Sequence, residues 1–229
     1  MSRPAWIYPD PVQEEELGPL PAGRHGLSRE EVALNQRERL IGALAETVAE
    51  RGYNAVTISH VTKAARVSRR AFYENFENKE ECFLAAFEIV VEHVRALVAE
   101  AVEPVEDWPH KVIAAFRAVL GFLAAEPDLA RLCLVESLTA GPVVADRFQQ
   151  TVYGFTPLLE PGRKVRQSER DLPDSTESSL MGALVTMASR SIIAGEADRI
   201  DQLLPDFVEF SLTPYLGAEE ARRLAQEVR

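Results

Sequence analysis

The stretch Thr57-Ile-Ser-His-Val-Thr-Lys-Ala-Ala-Arg-Val-Ser-Arg-Arg-Ala-Phe-Tyr-Glu-Asn-Phe-Glu-Asn-Lys79 reads as two short helices joined by a tight turn. Thr57 and Ser68 are N-cap residues, one at the head of each helix. In the second helix Phe72 and Phe76 are four apart and share an inward face, while Arg70 and Tyr73 project from roughly the opposite side. One face packs and the other is free to touch DNA, the pattern of a helix-turn-helix whose second helix enters a groove.

Order extends outward from this core. Upstream, Ser28 with Glu31 makes a capping box and Leu27 with Val32 has the spacing of a hydrophobic staple, so a first helix begins there. Its apolar face runs through Ile41, Leu44, Ala45 and Val48, Gly52 terminates it, and Ile58, Val61 and Ala65 of the next helix join the same small core. Downstream, Asn78 with Glu81 opens a long fourth helix, apolar at Phe83, Phe87, Val90, Val91, Val94, Leu97, Val98 and Ala101, until Pro104 ends it. Helical patterns recur at 109–125, 128–138, 143–159, 175–194, 200–216 and 218–228, with no useful strand alternation. Between Pro161 and Thr176, the residues Arg163, Lys164, Arg166 and Arg170 mark a charged surface loop whose cations are simply solvated. Residues 1–26, rich in Pro and Gly, read as a flexible arm. The expected architecture is all-α, with a helix-turn-helix domain at 27–77 and a larger helical domain at 78–229.

With 46% hydrophobic and 27% charged residues the bulk of the chain folds rather than staying disordered. A formal charge of -11 argues against coating nucleic acid through overall charge, so DNA binding must be local. Lys63, Arg66, Arg69, Arg70 and Lys79 gather in the helix-turn-helix, whereas Glu100, Glu103, Glu106 and Asp107 lie elsewhere. Over a screening length of about 8 Å such patches act almost independently. Cys82 and Cys133 match no metal-ligand spacing and suit a reducing compartment; both read as core, with Cys82 near a helix start a candidate redox sensor. Apolar runs such as 118–125 fall far short of the ~20 residues that span a bilayer, and no apolar signal core follows Pro4, Pro9 and Pro11. A cytoplasmic location without membrane contact is expected.

Gly52-Tyr53, Thr57, Ala65-Arg-Val-Ser68, Phe72-Tyr-Glu-Asn-Phe76 and Lys79-Glu-Glu together resemble the N-terminal domain of TetR family transcriptional regulators, closely from about Ser28 to Phe87. The resemblance implies an all-helical homodimer that represses transcription and is released by a small ligand bound in the C-terminal domain. One position departs: the turn residue commonly glycine in that family is Arg66 here. A left-handed backbone at Arg66 would cost on the order of 1 kcal/mol relative to glycine. Either the turn geometry differs, or a new phosphate contact compensates. Gly23-Arg-His-Gly-Leu27 is similar to an extension in some members; Arg24 either enters a minor groove or belongs to an unbound tail.

For the DNA site, Arg69 and Arg70 offer forked donors for guanine or phosphate, and Tyr73 a hydroxyl for phosphate or base. Ala71 suits a thymine methyl, and Asn75 is counted among the DNA-contacting residues of the same helix. Ser68 and Thr57 cap and can also donate to phosphate, Arg66 is a phosphate candidate, and Lys79 is placed to clamp backbone. His60 reads as a surface residue. A reader this short calls for two copies on a two-fold operator. Leu180, Leu184, Met187 and Ser191, with Leu203, Phe207, Phe210 and Leu212, suit a four-helix dimer interface or an intramolecular core. Trp108, Phe116, Phe122, Leu123, Phe148, Tyr153 and Met181, with Arg117, Cys133 and Glu136 as polar handles, suit a pocket for a lipophilic or aromatic ligand, or equally a packed core. No phosphate loop, metal-spaced histidine pair or serine elbow points to an enzyme, a metal or a cofactor, since His25, His60, His93 and His110 are scattered. The alternatives are a helical dimer acting through protein or ligand contacts without sequence-specific DNA binding, or an unrecognised helical enzyme.

Overall fold

The computed structural model describes residues 29–166 and 171–229, the side chains of residues 29–31 excepted. The arm at 1–26, the capping box of Ser28, the staple of Leu27, Arg24 and Arg170 lie outside the described residues. Among the described residues the regular elements are helices: α1 Arg29–Arg51, α2 Ile58–Ala65, α3 Arg69–Asn75, α4 Lys79–Val102, α5 Trp108–Ala125, α6 Pro127–Leu134, α7 Pro142–Tyr153, α8 Gly162–Val165, α9 Thr176–Ile193, α10 Leu204–Leu216 and α11 Ala218–Glu227. Short 3-10 turns occupy Tyr53–Ala55, Glu136–Leu138, Thr156–Leu158 and Ala197–Leu203. No described helix is long and apolar enough to cross a membrane. The chain divides into two compact units.

The first unit runs to Val90, past the expected boundary at 77, and takes in Glu136–Ala145 as well. Its core is formed where Leu40, Leu44 and Val48 of α1 meet Val61 of α2, Phe72 of α3, Phe76, and Phe83 and Phe87 of α4, all fully buried or nearly so. Burying each such side chain contributes about 1.5–3 kcal/mol. Gly52 stops α1 as expected: its N–H still donates to Val48 O at 2.8 Å, but its φ of 75° and ψ of 150° turn the chain away. Asn78 Oδ1 then accepts from Glu81 N–H at 2.9 Å and starts α4. Cys82 is buried in this core, where desolvation pushes its thiol well up, so a thiolate sensor is not what the position provides.

The second unit comprises Val91–Val135 and Asp146–Arg229. α5 and α10 meet edge to face through Phe116 and Phe207, with ring centroids 5.7 Å apart. Nearer the start of α5, Trp108 packs against Tyr215 at 5.3 Å and donates Nε1–H to Leu158 O at 2.8 Å. Gly162 lies so close to that indole that a Cβ would fall 2.4 Å from it. Arg163, expected to be solvated, is instead held by protein groups. Arg163 donates to both carboxylate oxygens of buried Glu177, at 2.8 and 2.7 Å, and to the carbonyls of Leu172 and Pro173. Tyr215 donates its hydroxyl to Glu177 Oε1 at 2.8 Å, completing the shell a buried carboxylate requires.

Candidate nucleic-acid interface

α2 opens on a reciprocal cap: Thr57 Oγ1 accepts from His60 N–H and the His60 ring nitrogen accepts from Thr57 N–H, each at 3.3 Å. His60 is therefore half of a capping box. At the other end, Arg66 N–H donates to Lys63 O and Val67 N–H to Thr62 O, at 3.2 and 3.0 Å, a Schellman closure. That closure puts Arg66 at φ 53°, ψ 42°, the one described non-glycine residue with positive φ. The turn thus keeps the left-handed geometry despite carrying a side chain. From α1, the buried Arg39 guanidinium reaches under it and donates to the carbonyls of Ala65 and Arg66.

α3 begins one residue after Ser68, whose Oγ accepts from Ala71 N–H at 3.0 Å. Capping uses only the acceptor side of the Ser68 and Thr57 hydroxyls, so each keeps an O–H to donate. Ala71 and Phe72 face the core. Ala71 is 6% exposed and lies against protein, which corrects its assignment to a thymine methyl. Arg69, Arg70 and Tyr73 share the outer side: the Arg70 side chain is 88% exposed and Tyr73 is 50% exposed. The Arg69 guanidinium stands 5.9 Å from the Tyr73 ring centre, and Arg70 Nε donates to Glu74 at 2.8 Å. Such an exposed i,i+4 pair is worth about 0.3–0.5 kcal/mol, so Glu74 holds Arg70 only weakly. Asn75 turns inward, its Nδ2 donating to Ala71 O at 2.8 Å, and serves the helix end rather than the outer face.

Sorting the cations by what they touch changes the expected set. Lys79 does not extend toward a phosphate: Nζ donates to Tyr53 O and Val56 O, both at 2.7 Å, and lies 3.8 Å from the Tyr53 ring centre. Partial burial there lowers its ammonium pKa. Arg37 lies over Phe76 at 4.4 Å and donates to Asn75 O at 3.1 Å, closing α3 as Arg39 closes α2. These three cations stabilise carbonyl-bearing ends. Lys63, Arg66, Arg69 and Arg70 remain exposed. Arg37 and Arg39 were not anticipated from sequence, because a cation inside an amphipathic helix looks like any solvated residue.

Glu136 departs most from expectation. Rather than a ligand handle it belongs to the first unit, where Oε2 accepts from Tyr53 N–H at 2.8 Å. Glu80 likewise accepts from Val143 N–H at 2.9 Å, so Glu136–Ala145 is clasped at both ends. Of the other expected ligand contacts, Phe116, Cys133, Phe148 and Met181 are buried in the second unit, Trp108 is half-buried and held by Leu158, and Tyr153 is 51% exposed. Burial pushes the Cys133 thiol up to about 12, leaving it a protonated core group. Among the expected dimer residues, Leu180, Leu184 and Phe207 are buried within their own chain, with Phe207 on Phe116, while Met187 and Ser191 are half-buried. Phe210 is 43% exposed, and Gly182, Thr186 and Ile193 form an outward stripe on α9. The described residues gather no cluster of three or more His, Cys, Asp or Glu side chains for a metal.

A family model described as bacterial regulatory proteins, tetR family, matches residues 40–86, from α1 through the reader into α4. Over these residues the chain is similar to the TetR family. HTH-type transcriptional activator FasR of Mycolicibacterium smegmatis is 28% identical over 132 residues, which is 57% of this chain and 58% of FasR. An uncharacterized HTH-type transcriptional regulator, YhgD of Bacillus subtilis, is 29% identical over 91 residues, 40% of this chain and 48% of YhgD. The chain thus spans about half the length of the curated relatives it matches. In fold the likeness extends further: FadR from Bacillus subtilis, solved in complex with stearoyl-CoA, superposes with a TM-score of 0.65 at 16% identity, covering 78% of this chain and 97% of FadR.

Proposed function

We propose that the chain is a dimeric DNA-binding transcriptional regulator that represses by occupying its operator and is released by a lipophilic small molecule. The observation that carries this reading is the two-sidedness of α3: Ala71 and Phe72 are buried while Arg69, Arg70 and Tyr73 project together into solvent. Forked guanidinium groups on a groove-sized helix suit guanine edges, and the exposed Lys63 and Arg66 add phosphate contacts. The Ser68 and Thr57 hydroxyls donate to the same backbone. A gel shift with the DNA upstream of the chain's own gene tests it: a discrete complex that survives random competitor is expected, and equal affinity for random duplex would contradict it.

The dimer forms through the outward stripe of α9 and Phe210 of α10, in a cell compartment that holds DNA. The effector occupies the apolar interior of the second unit, among Phe116, Cys133, Phe148 and Met181. The stearoyl-CoA complex of the B. subtilis fold neighbour supports a lipophilic acyl ligand. α4 contributes to both units, so a ligand that favours a different spacing of the two readers changes operator affinity through it. Titrating stearoyl-CoA and free stearate into the operator complex checks this; unchanged operator affinity despite measured binding excludes the coupling. FasR is by name an activator, so a reporter under the chain's own upstream DNA fixes the sign: deletion raises expression if the protein represses.

A further inference from the structure

We propose that Arg39 is a positioning residue for DNA recognition, holding the turn before α3 in a left-handed conformation that Arg66 would otherwise resist. This rests on the DNA-binding reading above. Three observations converge on it. Arg66 carries a Cβ at φ 53°, a conformation that glycine adopts freely and other residues avoid. Arg39 is 6% exposed, a depth at which a guanidinium needs carbonyl partners, and it finds them in Ala65 and Arg66 at the turn itself. The Arg66 side chain is exposed, and the hydrogen bonds at the turn come from backbone amides and from the Arg39 guanidinium.

The consequence for recognition is geometric. Two residues separate Ala65, the last of α2, from Ser68, the cap of α3, so a change in φ and ψ at Arg66 swings Arg69, Arg70 and Tyr73 together. The forked donor matters as well as the charge. A planar guanidinium spans two neighbouring carbonyls, whereas a lysine ammonium meets them from a single point. Arg39 thus substitutes for the missing glycine, and it frees position 66 to present a cation toward phosphate.

The test is a cycle on the full-length protein with Arg39→Met, Arg66→Gly and the double variant, plus Arg39→Lys. Readouts are operator affinity over a salt series and hydrogen exchange at the Val67 amide, which closes the turn on Thr62 O. Arg39→Met is expected to bind the operator at least tenfold more weakly, to exchange Val67 faster, and to keep its cooperative melt. Arg39→Lys falls between Met and the parent. Arg66→Gly alone stays within a few-fold of the parent, and in the Arg39→Met background it restores most of the affinity and the Val67 protection. Additive losses, or an Arg39→Met protein with parental binding and exchange, would overturn the proposal. If Arg39→Met does not fold, the Arg39→Lys cycle is read in the same way. A parent that binds no DNA defeats the functional reading instead, and the Val67 exchange cycle still decides the role of Arg39.

Discussion

Arg66 holds a backbone angle natural to glycine, and its neighbours show what each cation around it does. Replacing it by glycine should raise stability by about 1 kcal/mol, while flattening the salt dependence of operator binding by about one unit as a phosphate contact is lost. Thermal melts and a salt series measure the two separately. Arg70→Ala is expected to remove about 1–3 kcal/mol of discrimination at one base pair and leave random-sequence binding nearly intact. Lys79→Ala should behave differently, because its ammonium serves the carbonyls of Tyr53 and Val56. Stability falls by about 1–3 kcal/mol as those groups lose their partner, with the salt slope unchanged; a flattened slope in this variant would return Lys79 to the phosphates.

At the scale of elements, the segment Glu136–Ala145 is fastened to the reader unit by two carboxylates, and Gly141 is where the fastening is tightest. Its φ is 130° and a Cβ would fall 2.3 Å from Glu80 Oε1. Gly141→Ala should therefore cost about 1–3 kcal/mol and release Val143 N–H from Glu80, visible as faster exchange of that amide. In the second unit, burial alone would raise the Glu177 carboxyl, but hydrogen bonds from Arg163 and Tyr215 outweigh it and hold the group below its ordinary 4.5. The folded carboxyl then binds its proton less readily than the unfolded one. Its contribution is present above about pH 4.5 and fades as acid carries it through the lower folded value. Melts from pH 7 to pH 3 should drop less steeply for Glu177→Gln than for the parent. The helices themselves were legible from caps and periodicity: Thr57, Ser68 and Asn78 start elements where expected, and Gly52 stops one. Contacts between elements distant in sequence were not. Nothing local distinguishes Glu136, 83 residues from Tyr53, from a surface acid, or Arg163 from a solvated loop cation.

For the whole molecule, periodicity marked the late helices as apolar without saying which apolar side chains are turned inward. Leu184 and Phe207 prove to be core, so Leu184→Glu should unfold the second unit rather than separate two chains. Thr186→Glu with Phe210→Glu, placed on the exposed stripe, is the variant expected to sediment as a folded monomer and to lose cooperative operator binding; an intact dimer would eliminate this face as the interface. Reading a groove with one short helix per protomer demands that pairing, and the pairing matters only if α3 does the reading. Operator affinity of a triple variant with alanine at Arg69, Arg70 and Tyr73, shown to be folded by its melt and circular dichroism, measures that claim most directly. Sequence-specific binding should vanish, leaving only weak, salt-sensitive attachment to any duplex, whereas a variant that holds its operator as firmly as the parent would contradict the account.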